Sequence, residues 1–185
     1  MDIQQLVKER VSYRGGFQST PVPREKLRMI MEAGLAAPSG CNKQTTSLIA
    51  VDEPELLEKI KQSIDPPICE TAPAMIIVLT RRIYAYRDKC YSIQDYSAAI
   101  ENMLLTITAM GYQSCWYEGH ITDADDIGRK LADVLEVPGD YDVVCVLPVG
   151  YGTETAVRAK KKPFEERAWF NGFKKPDERE QQIAT

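Results

Sequence analysis

Apolar positions along the chain recur with helical spacing in some stretches and run unbroken in others. Ile3, Leu6 and Val7 share one helical face, which predicts a short helix over residues 2–9. Gly15-Gly16 stops the segment that follows it. Pro21-Val22-Pro23 is extended, and Pro23 suits the first turn of the next helix, where no N–H partner is lost. Leu27, Ile30, Met31 and Leu35 stripe that helix until Pro38 bars its continuation. Ser47 to Val51 is an apolar run, within which Leu48 to Val51 reads as a buried-type strand. Asp52 is the expected N-cap of a helix over 54–64, with Leu56, Leu57 and Ile60 inward and Asp65-Pro66-Pro67 at its end. Ala74 to Leu79 is continuously apolar, the pattern of a central strand covered on both faces.

Residues 81–91 are basic and aromatic and fit a loop or a lid. A long helix is predicted over 93–110, where Ala98, Ala99, Met103, Leu104 and Ile107 form a broad face. Its small residues permit close backbone approach, at the centre of the molecule or at a subunit interface. Gly111 is the expected C′ residue. Gln113 to Tyr117 reads as a short strand leading to the turn Glu118-Gly119-His120, and ligands of α/β sheets often bind at such strand ends. Thr122 is expected to cap a helix reaching about residue 135, with Asp123, Asp125 and Asp126 complementing its dipole. Pro138-Gly139-Asp140 is a turn, and Tyr141 to Val149 is the last strand. Beyond Gly152 come the basic cluster Lys160-Lys161-Lys162-Pro163 and the aromatics Phe164, Trp169, Phe170 and Phe173, an arm expected to lie on its own domain or on a partner. Asp177 to Thr185 reads as a loose end.

With 185 residues, 44% hydrophobic and 27% charged, the chain suits one globular domain. Lys plus Arg number 23 against 27 Asp plus Glu, a net charge of -4 that argues against broad nucleic-acid binding. No apolar run approaches the ~18 residues of a membrane span, and the N-terminus has no signal-peptide pattern, so a cytoplasmic location is the default expectation. Five cysteines and no CxxC pair argue against a disulfide framework and a zinc site. Cys115 and Cys145 sit in apolar runs as small hydrophobes. Cys41 has no evident base beside it, and the single histidine, His120, leaves little for a triad or a metal centre.

Two stretches carry candidate chemistry. In Arg10-Val11-Ser12-Tyr13-Arg14, an extended backbone sends Arg10, Ser12 and Arg14 to one side. Two guanidiniums and a hydroxyl there suit a phosphate, and the alternative is a pair of solvated surface arginines. In Pro38-Ser39-Gly40-Cys41-Asn42-Lys43-Gln44, a turn offers N–H groups, a hydroxyl and two carboxamides. This stretch is either a plain connector or one wall of a site for a flat, heteroatom-rich ligand, and the two stretches together motivate a flavin site.

These residues give the chain a likeness to a known family. Arg10-x-Ser12-x-Arg14, the block from Pro21 through Pro38-Ser39 to Asn42-x-Gln44, the run Ala98 to Leu105 followed by Gly111 to Trp116, and Leu147 to Gly152 with Lys161-Lys162-Pro163 resemble, in order and spacing, the nitroreductase family of flavin enzymes over roughly residues 3 to 165. The resemblance implies an α+β, three-layer fold: a mixed, mostly antiparallel sheet flanked by helices, with a C-terminal arm. It implies one FMN-binding domain over 1–165, an extension over 166–185, and a homodimer with FMN at the interface. By that likeness Arg10, Ser12, Arg14 and Lys161 hold the FMN phosphate. Pro38, Ser39 and Asn42 of the neighbouring subunit line the ring and ribityl chain, with Gln44 close by. Glu118 and Gly119 lie at the reactive edge through their backbone N–H groups.

The implied chemistry is hydride transfer from NADH or NADPH through the flavin to a small acceptor, with ping-pong kinetics and no catalytic side chain. The acceptor stays open among nitroaromatics, quinones, enones and free flavin. The chain departs from the family's pattern at Thr45-Thr46, where Pro-Trp is frequent, and at Lys161, where Arg is common. A flavin-binding protein of the same fold with other chemistry, and a dimeric interaction protein whose arginines merely pair with acids, are the competing readings.

Overall fold

The computed structural model describes residues 2–64, 69–119, 121 and 126–173. Three strands, β1 (Thr46–Val51), β2 (Ala74–Thr80) and β3 (Asp142–Val149), form an antiparallel sheet in the order β1-β2-β3. Five helices accompany them: α1 (Ile3–Glu9), α2 (Arg24–Leu35), α3 (Pro54–Ser63), α4 (Ser92–Ala109) and α5 (Ile127–Val134).

β2 is the central strand, and all seven of its residues are buried. Because successive side chains of a strand point to opposite faces, β2 divides its residues between two cores. Met75, Ile77 and Leu79 pack with Leu57 and Ile60 of α3 and Ile127 and Leu131 of α5. Ala74, Ile76 and Val78 pack with Leu27 and Ile30 of α2 and with Ile100, Met103 and Ile107 of α4. The result is three layers, α2/α4, sheet and α3/α5, in an α+β fold. β3 carries one extra residue: the register runs from Val78↔Cys145 to Leu79↔Val143, so Val144 is a bulge.

Two helix ends follow from local chemistry. α4 stops in a Schellman motif, in which Gly111 at φ 80° donates its N–H to the Thr108 carbonyl and Tyr112 donates to that of Ile107. At the start of α3 the cap is Glu53, not Asp52. The Glu53 carboxylate accepts from the Glu55 and Leu56 amides at 3.1 and 2.7 Å. Asp52 is engaged elsewhere: both its oxygens accept from Arg24 at 2.7 and 2.8 Å, which holds the Asp52 carboxyl below its ordinary range.

The segment 113–117 is not a regular strand. It runs beside β3 through two separate bridges, Gln113↔Gly150 and Tyr117↔Val146. Counting between them sets Pro148 opposite Cys115, and proline has no N–H to complete the ladder there. Residues 84–90 form a small hairpin closed by Tyr84↔Cys90, with Arg87 and Asp88 left-handed at φ 53° and 55° in its turn. α5 begins at Ile127 behind Asp126; the expected cap Thr122, with Asp123 and Asp125, lies outside the described residues, as do His120, the Asp65-Pro66-Pro67 break and the end from Asp177. Phe164, Phe170 and Phe173 of the C-terminal segment are 56%, 78% and 71% exposed, so within this chain they cover no core. They pair instead with one another and with Trp169.

Candidate functional site

The Arg10–Arg14 segment leaves α1 in an extended course. Tyr13 faces inward, 2% exposed, and its amide donates to the Ser114 carbonyl at 2.8 Å. Its phenol donates to the Gly16 carbonyl and accepts from the Thr153 amide at 3.0 Å. With Tyr13 pinned in the core, alternation turns Ser12 and Arg14 outward, and both are exposed. Among the described residues Arg14 forms no ion pair. Its positive charge acts on Cys115, whose thiol burial nonetheless pushes up to about 11. Arg10 is more committed, since its Nε stands 3.5 Å from a Glu101 oxygen. Lys161 is exposed on the segment beyond Gly152, and no hydrogen bond or ion pair ties it to residues 10–14 among the described residues.

The loop after α2 is strained. Cys41, Asn42 and Gln44 are left-handed at φ 51°, 54° and 48°, each at a cost of roughly 1–2 kcal/mol for a residue with a side chain. Ser39 accepts the Gln44 amide on its Oγ at 3.0 Å. Gly40 lies against Tyr91, and a Cβ there would come within 2.6 Å of the ring carbon. The Gly40 amide donates to Asp95 Oδ1 at 2.7 Å, and the Thr45 hydroxyl donates to Asp95 Oδ2 at 2.7 Å. Pro38, Asn42 and Gln44 remain exposed. Thr45 is buried by this contact, whereas the Thr46 hydroxyl oxygen is buried with no hydrogen-bond partner among the described residues.

Glu118 ends the segment that runs beside β3. Its Oε1 accepts from the Tyr96 phenol at 2.8 Å and its Oε2 from the Trp116 indole at 2.6 Å. Burial, then the bond to Glu118, raises the Tyr96 phenol above its ordinary value. Gly119 is exposed, with open space where a Cβ would stand. Beside Glu118 opens a cleft of about 990 Å3, lined among others by Thr80, Tyr84, Cys90, Tyr96 and Arg129.

Asp95, Tyr96 and Trp116 are structuring residues that the sequence pattern leaves unmarked. The one available signal is Asp95 itself, a carboxylate in register with the buried stripe Ser92, Ala99 and Met103 of α4.

The donor set fits a flavin nucleotide. The outward pair Ser12 and Arg14 suits a phosphate, and the exposed carboxamides of Asn42 and Gln44 suit the edge of a heteroaromatic ring. Comparison with known proteins bears on the same point. The nitroreductase family model matches residues 7–66 and 64–151, and the chain belongs to that family. A protein of Methanothermobacter thermautotrophicus, provisionally named NADH dehydrogenase/NAD(P)H nitroreductase, is 28% identical over 156 residues, covering 83% of this chain and 79% of that protein. An FMN-dependent nitroreductase from Clostridium difficile R20291 superposes with a TM-score of 0.77 at 26% identity, covering 92% of this chain and all of that one (100%). NfrA1 of B. megaterium shares the fold at a TM-score of 0.80 and 18% identity, covering 97% of this chain and 78% of the other. Among the described residues no helix is long and apolar enough to cross a membrane.

Proposed function

We propose that this protein is an FMN-dependent oxidoreductase that uses NADH or NADPH to reduce a small organic acceptor. The observation that carries the reading is the outward pair Ser12 and Arg14, set by buried Tyr13, with Arg14 free of any ion pair among the described residues. On this reading Arg10, Ser12, Arg14 and Lys161 hold the phosphate. Pro38, Ser39 and Asn42 approach the ring and ribityl chain from the second subunit of a homodimer, with Gln44 nearby. Glu118 and Gly119 present backbone N–H groups to the reactive edge, and Tyr96 and Trp116 fix the turn by holding the Glu118 carboxylate. The chemistry that FMN supplies when bound is two-electron transfer from the nicotinamide to the acceptor in alternating half-reactions. The cleft beside Glu118 has the size of sites for small organic molecules, typically about 300–1,000 Å3. Residues 1–165 act as the FMN-binding unit, 166–185 as an extension, and the protein works in the cytoplasm.

The visible spectrum of the purified protein, taken before and after anaerobic NADH or NADPH, tests this reading. Flavin bands that bleach with either donor are the expected result. Bands that persist assign a flavoprotein of other chemistry. Absence of bands after incubation with FMN rejects the cofactor site and favours an interaction protein.

A further inference from the structure

The strained loop over 39–45 is held at both ends by one side chain of α4, and at Thr45 the carbonyl also accepts from the Arg81 amide at 3.0 Å and the Thr80 hydroxyl at 3.4 Å. Asp95, in the first turn of α4, is 4% exposed, and each of its oxygens accepts one bond from the loop: the Gly40 amide and the Thr45 hydroxyl, both at 2.7 Å. These anchors bracket the left-handed residues Cys41, Asn42 and Gln44. We propose that Asp95 is a positioning residue, which holds this loop in the strained shape that contacts the cofactor. The contact with the cofactor rests on the function proposed above; the restraint of the loop does not.

The chemistry of the pair of contacts supports this role. A buried carboxylate met by two neutral donors, with no cation paired to it among the described residues, is an expensive way to fill space. The position in the first turn of α4 offsets part of that cost, because the positive end of the helix dipole favours a negative charge there. Charge-assisted bonds are shorter and stronger than neutral ones, which suits a group that must keep a backbone out of its preferred conformation. The loop's own ties, from the Gln44 amide to the Ser39 hydroxyl and from the Asn42 and Lys43 amides to the Ser39 and Gly40 carbonyls, span the strained residues but do not fasten them to the domain. The next residue, Tyr96, reaches Glu118, so one turn of α4 fixes both the loop and the Glu118 turn.

The test combines hydrogen exchange with FMN binding. In flavin-free protein, Asp95→Ala is expected to speed exchange of the amides over 39–45 by about tenfold or more while β2 stays protected. In FMN-loaded protein the same substitution is expected to speed FMN release by a similar factor. Asp95→Asn keeps one acceptor for the Gly40 amide and one polar partner for Thr45, and is expected to restore most of both. Ile100→Val, in the core on the same helix, controls for a mere loss of stability: it lowers Tm and leaves loop exchange unchanged. Loop exchange unaffected by Asp95→Ala overturns the proposal, as does faster exchange with unchanged FMN release. Wild-type protein that takes up no FMN removes the function proposed above, and the exchange comparison then decides the restraint of the loop by itself.

Discussion

Tyr13 and Arg14 are adjacent and do opposite things: one is sealed in the core, the other meets solvent without a counter-ion among the described residues. The period of two that separates them is visible in the sequence, so the outward set of Ser12 and Arg14 was legible there. If Arg14 holds a phosphate, Arg14→Ala weakens FMN binding by about tenfold or more, since hydrogen bonds to charged partners are worth about 1.5–3 kcal/mol. As an exposed side chain its loss changes stability by no more than about 0.5 kcal/mol. Equilibrium dialysis with FMN and a urea titration measure the two quantities, and unchanged FMN affinity rejects the clamp. Other residue-scale choices were not legible because long-range partners decide them. Asp52 and Glu53 are both acids at a helix start, and only the fold shows that Arg24, 28 positions earlier, occupies Asp52. Asp95 looks like an ordinary polar position of a helix until Gly40 and Thr45 are brought to it.

At the scale of elements, long periodic or unbroken apolar segments were read well. The helix predicted over 93–110 is α4, Ser92–Ala109, and the run from Ala74 is the central strand. Segments with mixed signals were read less well. Residues 113–117 have strand composition, yet pairing with β3 is interrupted where Pro148 offers no donor to Cys115. Pro148→Val should therefore let the ladder close. The amide at position 148 then becomes protected from exchange, and stability rises by about 0.5–1 kcal/mol in urea unfolding. Exchange of that amide at the solvent rate would show that the segment stands too far from β3 to pair. The hairpin over 84–90 gave no sequence signal because its left-handed turn is made by Arg87 and Asp88 instead of glycine or asparagine.

Over the whole molecule, the two cores share β2 as a common wall, and both take in thiols. Burial pushes Cys69 up to about 12 and Cys115 up to about 11, and raises Cys145 well above its ordinary value of 9.0. The sign follows from proton binding: between about pH 9 and these raised values the folded protein keeps protons that the unfolded chain releases. The stabilisation is complete below about pH 9 and is lost as pH rises, by about 1.4 kcal/mol per pH unit for each such thiol. The urea midpoint should fall between about pH 8 and about pH 10, and Cys69→Ala should reduce that fall; a flat midpoint would mean that the thiols already titrate in the folded state. The bulge at Val144 has a consequence of another kind. It lets Val143 face α3 and α5 although Cys145, two positions on, faces α2 and α4. Removing that one residue would leave Cys145 opposite Val78 and Val143 opposite Leu79, so the ladder would become regular and Asp142 and Val143 would keep their faces. Loss of a residue from the regularly paired part of β3 has no such slack and would turn the flank beyond it to the other face. At this end of β3 the chain carries one spare residue, and a single deletion is tolerated there that the rest of the strand would not accept.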